Sequence, residues 1–440
     1  MRKLFRYMLL MLMASLLVSC NSVKFNDAEN KQVDLQPRNS TEPINSIEPA
    51  KTPDANSSNS DKISVWGYYQ DWLPYKDEFE KSHPGKTIEF QTIEGNAAEK
   101  YLSAIASGTA PDALLLFSDT MGQFNFIEGL ENLLQAPYNA NNDLHKFADH
   151  QLSWTMTFDD KKLLALPLYH SPSVLYYRTD ILEQYGFPTD PEELGNFMED
   201  PEKWFGMVKE LKKNNKWVFQ WSNDTINMVS SGQGFFDKDL NFVRNTDKYE
   251  IALDLTRRIK NEGLAISKTI WDAGGQEAIK NGEIVMVQFG CWGEYLLNQW
   301  APETKGKWKV TRLPLGVYST NGSPALAITS QSKNKELAWE FVKLVVQRER
   351  EDYESKLNVQ SDFLGGQYSN KLYEKLREKT PLVFATPMDA KLFGWWNERI
   401  EDFIESNEGD AKTALDNMEQ IIKNDYEKDI NSIKSSISKK

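Results

Sequence analysis

Two patterns alternate along the chain: apolar stripes at three-to-four-residue spacing, and short unbroken apolar runs that end in small polar residues. Both occur in order between Glu99 and Leu134. Ala98, Tyr101, Leu102 and Ile105 predict one buried face of a helix, and Gly108 stops it. Pro111 and Asp112 make a turn, and Ala113 to Phe117 reads as a parallel strand covered on both faces. Ser118, Asp119 and Thr120 then stand at the carboxyl end of that strand, where open α/β sheets bind ligands, so a cleft is expected to begin there.

The same grammar recurs. Ile63 to Tyr68 predicts a strand that opens the first lobe and ends in the loop Tyr69, Gln70, Asp71, Trp72; Asp77 to Lys81 predicts a helix, and a second strand follows. Leu144, Phe147 and Leu152 mark a helix, Asp159 to Lys161 a turn, and Leu163 to Leu168 and Val174 to Arg178 two apolar runs. Tyr169, His170 and Ser171 lie between those runs. His170 reads first as a hydrogen-bonded loop histidine and second as a ligand contact.

Asp200 and Pro201 form an N-cap and N1 pair for a helix striped by Trp204, Met207, Val208 and Leu211. Trp217 to Trp221 predicts a strand ending in Ser222, Asn223 and Asp224. Ile251, Leu255 and Ile259 stripe a helix stopped at Gly263, and IVMVQF predicts a strand running into Gly290, Cys291 and Trp292. A helix over Leu337 to Val346 and a final one through Leu415, Met418, Ile422 and Tyr426 complete the reading.

In sequence order, SGTAPD, ALLLF, SDTMGQF, GLENLL, TDILEQYGFP, the QEAIKNGEIVMVQFGCW segment and KVTRLPLG resemble the extracellular solute-binding proteins of ABC importers. The branch is the sugar-binding one that includes maltose-binding protein, and the resemblance spans about residues 62 to 430. It implies an α/β, periplasmic-binding-protein-like fold of two discontinuous lobes around a central cleft. The first lobe would hold 62–168 and 314–350, the second 169–313 and 351–440, with the third crossing near Arg350 to Asn358. It further implies carbohydrate capture and delivery to membrane permease subunits, by a monomer that does no chemistry itself. Where maltose-binding protein has an acidic residue, this chain has His170 and Ser171, and Thr120 replaces a basic one. Maltose itself is therefore not implied, and an oligosaccharide, a uronate or a sugar alcohol remain open.

Composition narrows the chemistry. A 440-residue chain suggests two lobes, and a net charge of −13 argues against nucleic acid. With four His and two Cys there is no metal-spaced cluster, no phosphate loop and no nucleophile elbow, so neither cofactor nor metal is expected. The basic start and apolar run of residues 1–20 have the layout of a secretory leader. Leu17, Val18, Ser19 and Cys20 resemble a lipobox, which implies a diacylated Cys20 that holds the protein to the outer face of the cell membrane. Residues 21–61, rich in Asn, Ser, Pro and acids, read as a flexible tether. Cys291 then has no disulfide partner and reads as a small buried hydrophobe.

The chain carries 13 Trp and 17 Tyr, several of them at predicted strand ends. A sugar offers an apolar C–H face and a rim of hydroxyls, so its site needs aromatic plates beside hydrogen-bonding side chains. Tyr69, Trp72, Trp221, Trp292 and one of Trp395 and Trp396 are the candidate plates; Gln70, Asp71, Ser118, Asp119, Ser171, Asn223 and Glu294 are the polar partners. Two other readings stand beside this one. A glycoside hydrolase would use a carboxylate pair such as Asp119 and Glu294, and a sensor subunit would present sugar to a membrane receptor.

Overall fold

The computed structural model describes residues 61–67, 73–168 and 171–438. The expectations for Cys20, the tether, Tyr69, Gln70, Asp71, Trp72 and His170 fall outside these residues. The chain begins with β1 (Lys62–Gly67), α1 (Leu73–Ser82), β2 (Thr87–Thr92), α2 (Ala97–Ser107), β3 (Ala113–Phe117), α3 (Asp149–Thr155) and β4 (Leu166–Pro167). It continues through β5 (Val174–Arg178), α4 (Thr179–Gln184), α5 (Pro191–Glu199), α6 (Pro201–Lys213), α7 (Asp224–Ser230), α8 (Asp247–Asn261), α9 (Ala273–Lys280), β6 (Met286–Phe289), α10 (Gly293–Trp300) and β7 (Trp308–Thr311). Then come β8 (Pro324–Ile328), α11 (Lys335–Lys356), α12 (Ser369–Arg377), α13 (Asp389–Ser406), α14 (Ala411–Asp425) and α15 (Glu427–Ser438).

Two sheets result, in the orders β2-β1-β3-β8-β4 and β6-β5-β7. The chain thus leaves the first sheet after β4 and returns to it at β8, giving two lobes. β1, β2 and β3 are parallel and β8 runs against β3, while β5 is antiparallel to both its neighbours. β3 is buried on both faces, as its unbroken apolar run requires. Ala113 and Leu115 pack with Phe341 and Val345 of α11, while Leu114 and Leu116 pack with Tyr101 of α2 and Trp154 of α3. The second core gathers β5, α5 to α8 and α13 to α15.

Local signals explain the boundaries. Gly108 ends α2 at φ 76°, a conformation an L side chain rarely adopts. The Asp200 carboxylate accepts the amides of Glu202 and Lys203 at the start of α6. Asp112, read as a turn residue, is a buried anchor that accepts Ser64 N at 2.8 Å and Ser332 Oγ at 2.6 Å, joining β1 to the segment after β8.

Two expectations change. Trp217 to Trp221 makes only isolated bridges, Trp217 to Ile284 and Phe219 to Ala265, because two paired residues do not make a ladder. The final helix is two, α14 and α15, broken at Tyr426. α11 itself runs to Lys356, with no Gly or Pro to stop it and with ion pairs Arg350–Glu354 and Lys356–Asp352 along its surface, so of the 350–358 stretch only its last residues lie beyond the helix.

Candidate functional site

One wall begins where β3 ends. The Thr120 amide donates to Phe117 O at 3.0 Å, turning the chain sharply so that Asp119 projects from the strand end. Its side chain is solvent-exposed, yet protein surrounds it on most sides, as in a concavity. That surrounding raises the carboxyl above the usual aspartate range, against the lowering effect of the Asp119 and Thr120 amides. Among the described residues no cation pairs with it.

A tryptophan cluster stands at the end of β6. Trp292 follows β6, half-buried, with its ring 4.9 Å from Phe289 and 6.4 Å from Trp271; Trp271 in turn meets Trp300 edge-on at 5.6 Å. The turn that carries it is fastened from behind. Ser171 Oγ accepts the Cys291 amide at 2.9 Å, and the Tyr176 hydroxyl lies 3.2 Å from Gly290 O and 2.8 Å from the Tyr373 hydroxyl of α12. A Cβ at residue 290 would stand 2.1 Å from Ser171 Oγ and 2.5 Å from Trp292 Nε1, so only glycine fits there.

Another tryptophan stands at the end of the 217–221 segment. Trp221 is 44% exposed, unusual for so large an apolar ring. Its amide and that of Gln220 donate to Asp224 Oδ2 at 3.1 and 2.7 Å. Desolvation pushes the Asp224 carboxyl up to about 6 despite those two bonds. Asn223 precedes α7, and its side chain makes no capping bond.

Several expected residues are elsewhere. Trp396 is 2% exposed, because the stripe Leu392, Trp396, Ile400, Phe403 of α13 faces the second core, where its ring meets Phe235, Phe242 and Tyr249. Trp396 is core, and Trp395 is half-buried against the same cluster. Ser171 is fully buried and its hydroxyl is engaged in the turn, so it holds the wall and does not face solute. Glu294 accepts the Ser361 hydroxyl and lines a recess with Asn298 and Asn370; Asp119 is not among the residues of that recess. Sequence reasoning passed over Trp271, whose only signal was its aromaticity, and Asp224, whose signal was a carboxylate three residues after a strand-end tryptophan.

A separate cavity of about 770 Å³ lies between α3, α11 and α12, lined by Phe147, His150, Val346, Arg350, Tyr353 and Arg377 among others. It shares no residue with the β3 or β6 strand ends and no tryptophan lines it. Among the described residues no group of three or more His, Cys, Asp or Glu is placed to hold a metal, and no helix is long and apolar enough to cross a membrane.

Comparison with known proteins agrees with this architecture. The lactose-binding protein of Rhizobium radiobacter is 26% identical over 297 residues, 64% of this chain and 68% of that one. The galacto-N-biose-/lacto-N-biose I-binding protein of the ABC transporter from Bifidobacterium longum superposes with a TM-score of 0.66 at 18% identity, covering 86% of this chain and 99% of that one. The sugar-binding protein MalE from Xanthomonas citri gives 0.65 at 16%, covering 86% and 99%. The family model described as bacterial extracellular solute-binding protein matches residues 75–356, which is most of the body, and the chain belongs to that family.

Proposed function

We propose that the protein captures a carbohydrate, an oligosaccharide in the first instance, and hands it to the permease of an ABC importer while held to the outer face of the membrane through a lipidated Cys20. The observation that carries this reading is the pair of tryptophans, Trp221 and Trp292, presented at the ends of second-lobe segments, with the accessible Asp119 at the end of β3 in the first lobe. Indole faces stack on sugar C–H surfaces, and an unpaired carboxylate accepts sugar hydroxyls. The names of the relatives, lactose-binding and lacto-N-biose I-binding proteins, support the same ligand class. In this reading the lobes divide at 62–168 with 314–350 and at 169–313 with 351–440, the protein is monomeric, and it performs no chemistry. The hydrolase alternative loses its proposed pair, since Glu294 opens into a recess that Asp119 does not share.

A thermal-shift screen of the mature chain against mono- and oligosaccharides tests this. A ligand at 100 times its Kd stabilises the folded state by about 2.7 kcal/mol, which melting readily detects. Absence of any shift across the panel, with the protein folded, would refute the carbohydrate assignment.

A further inference from the structure

Asp224 occupies an unusual place for a first-turn helix residue. Its carboxylate points back along the chain, and one oxygen receives both the Gln220 and the Trp221 amides. The Asp224 amide in turn donates to Trp221 O at 3.2 Å, so residues 221–224 close on themselves. Neighbouring bonds hold Gln220 from the other side: Ser267 N donates to Gln220 O at 2.9 Å and Ile270 N to Gln220 Oε1 at 2.9 Å. Gln220 is therefore fixed by two segments, whereas the direction of Trp221 depends on Asp224.

We propose that Asp224 is a positioning residue for solute binding: its ionised carboxylate gathers the Gln220 and Trp221 amides and so aims the Trp221 ring, and protonation slackens the turn and releases the ring together with its sugar. This rests on Trp221 being a stacking plate, as proposed above. A carboxylate accepts two amide hydrogens on one oxygen more strongly than a neutral acid does. The proton taken up by Oδ1 or Oδ2 comes from solvent.

Titration of the turn is governed locally. On the 265–272 segment that holds Gln220, the charged groups are engaged elsewhere: Lys268 stands 3.8 Å from Glu283, and Asp272 accepts the Gly275 amide. Among the described residues none of these makes an ion pair with Asp224. The opposing influences are burial and the two amides, which leave the carboxyl titrating at about 6. If only the ionised form aims the ring, affinity is full above that value and falls as pH drops through it, by about tenfold between pH 7 and pH 5.

The test uses the mature chain labelled with 5-fluorotryptophan, the Trp221 resonance being identified by its loss in Trp221→Phe. We expect that resonance to titrate near pH 6 in the unaltered protein and to stay constant in Asp224→Asn, which keeps one acceptor and so the fold. A resonance that is flat from pH 5 to 7, or that titrates equally in Asp224→Asn, overturns the proposal. Calorimetry of Trp221→Ala with lactose, or with the panel sugar of largest melting shift if lactose gives none, separates the underlying reading. Undiminished affinity there faults the plate itself, whatever the resonance does. Affinity that falls tenfold toward pH 5 in the unaltered protein and not in Asp224→Asn supports both.

Discussion

The Lys238 ammonium of the second lobe stands 2.8 Å from the Asp160 carboxylate of the first, and 5.2 Å from the ring centres of both Phe158 and Phe384. Phe158 and Phe384 meet edge-on at 6.2 Å, so the cation is seated on an aromatic seam between the lobes. The same seam is sewn by Asn125 Nδ2, which donates to Ala385 O at 3.0 Å, and by Val383 N, which donates to Ser153 Oγ at 3.1 Å.

Lys238→Ala should weaken this arrangement without unfolding either lobe. Both partners of the ion pair are well exposed, so the charge pair itself contributes about 0–1 kcal/mol, and the ring contacts about 0.5–1 kcal/mol more. We expect a larger radius of gyration by small-angle X-ray scattering and a loss in sugar affinity of roughly 2- to 30-fold, which is the same energy read as binding. An unchanged radius of gyration would show that the seam does not hold the lobes.

Trp292→Ala should lower sugar affinity by about 1–3 kcal/mol if its ring stacks on solute. Its contacts with Phe289 and Trp271 mean that the apo protein should also melt lower, unlike a ring left wholly in solvent. Calorimetric titration beside apo melting separates the two effects. A fall in melting temperature alone would make Trp292 a core residue.

Gly290→Ala should cost the Cys-Trp turn its anchor, since the added methyl would overlap Ser171 Oγ and the Trp292 indole nitrogen. The expected destabilisation is about 1–3 kcal/mol in urea unfolding, the usual cost of forcing bulk into a packed place. Wild-type stability in this variant would mean that the turn yields freely.

Asp389 gives a pH signature of stability. Burial pushes its carboxyl up to about 6, against the lowering effects of the Thr386 amide and hydroxyl and of the Arg244 guanidinium. The folded state therefore binds this proton more tightly than the unfolded chain, so its contribution is fully present below about pH 4 and is lost as pH rises to about 6. Asp389→Asn should remove that part of the slope. Melting temperatures of the two proteins between pH 4 and 7 should thus diverge in slope, and parallel curves would refute the assignment.

How legible the fold was in the sequence depends on how local each cause is. Gly108, the Asp200-Pro201 pair and the ALLLF run act within a few residues, and the elements they announce stand where the pattern places them. Trp396 could not be told from Trp395 by spacing alone, because the face that α13 buries is decided by Phe235, Phe242 and Tyr249, more than 140 residues earlier. Ser171 read as a cleft residue because the bond that fixes it comes from Cys291, across two strands. The polar strand ends were visible as candidates. That Ser171 and Asp224 are tied up in holding turns became visible only in the folded hydrogen bonds.

The cavity between α3, α11 and α12 carries a thermodynamic consequence. One side of it carries Phe147 and His150, and the other, with Glu374 and Arg377 of α12, is tied to β5 through the Tyr373–Tyr176 contact. A change of lobe angle that grips a solute must then change the volume of this space, and water enters or leaves with it. Sugar affinity becomes linked to the activity of water: the slope of ln Kd against osmotic pressure, set with an excluded polyol, counts the molecules exchanged. If the cavity does change with the lobe angle, the binding curve would report the osmotic state of the medium as well as the concentration of solute.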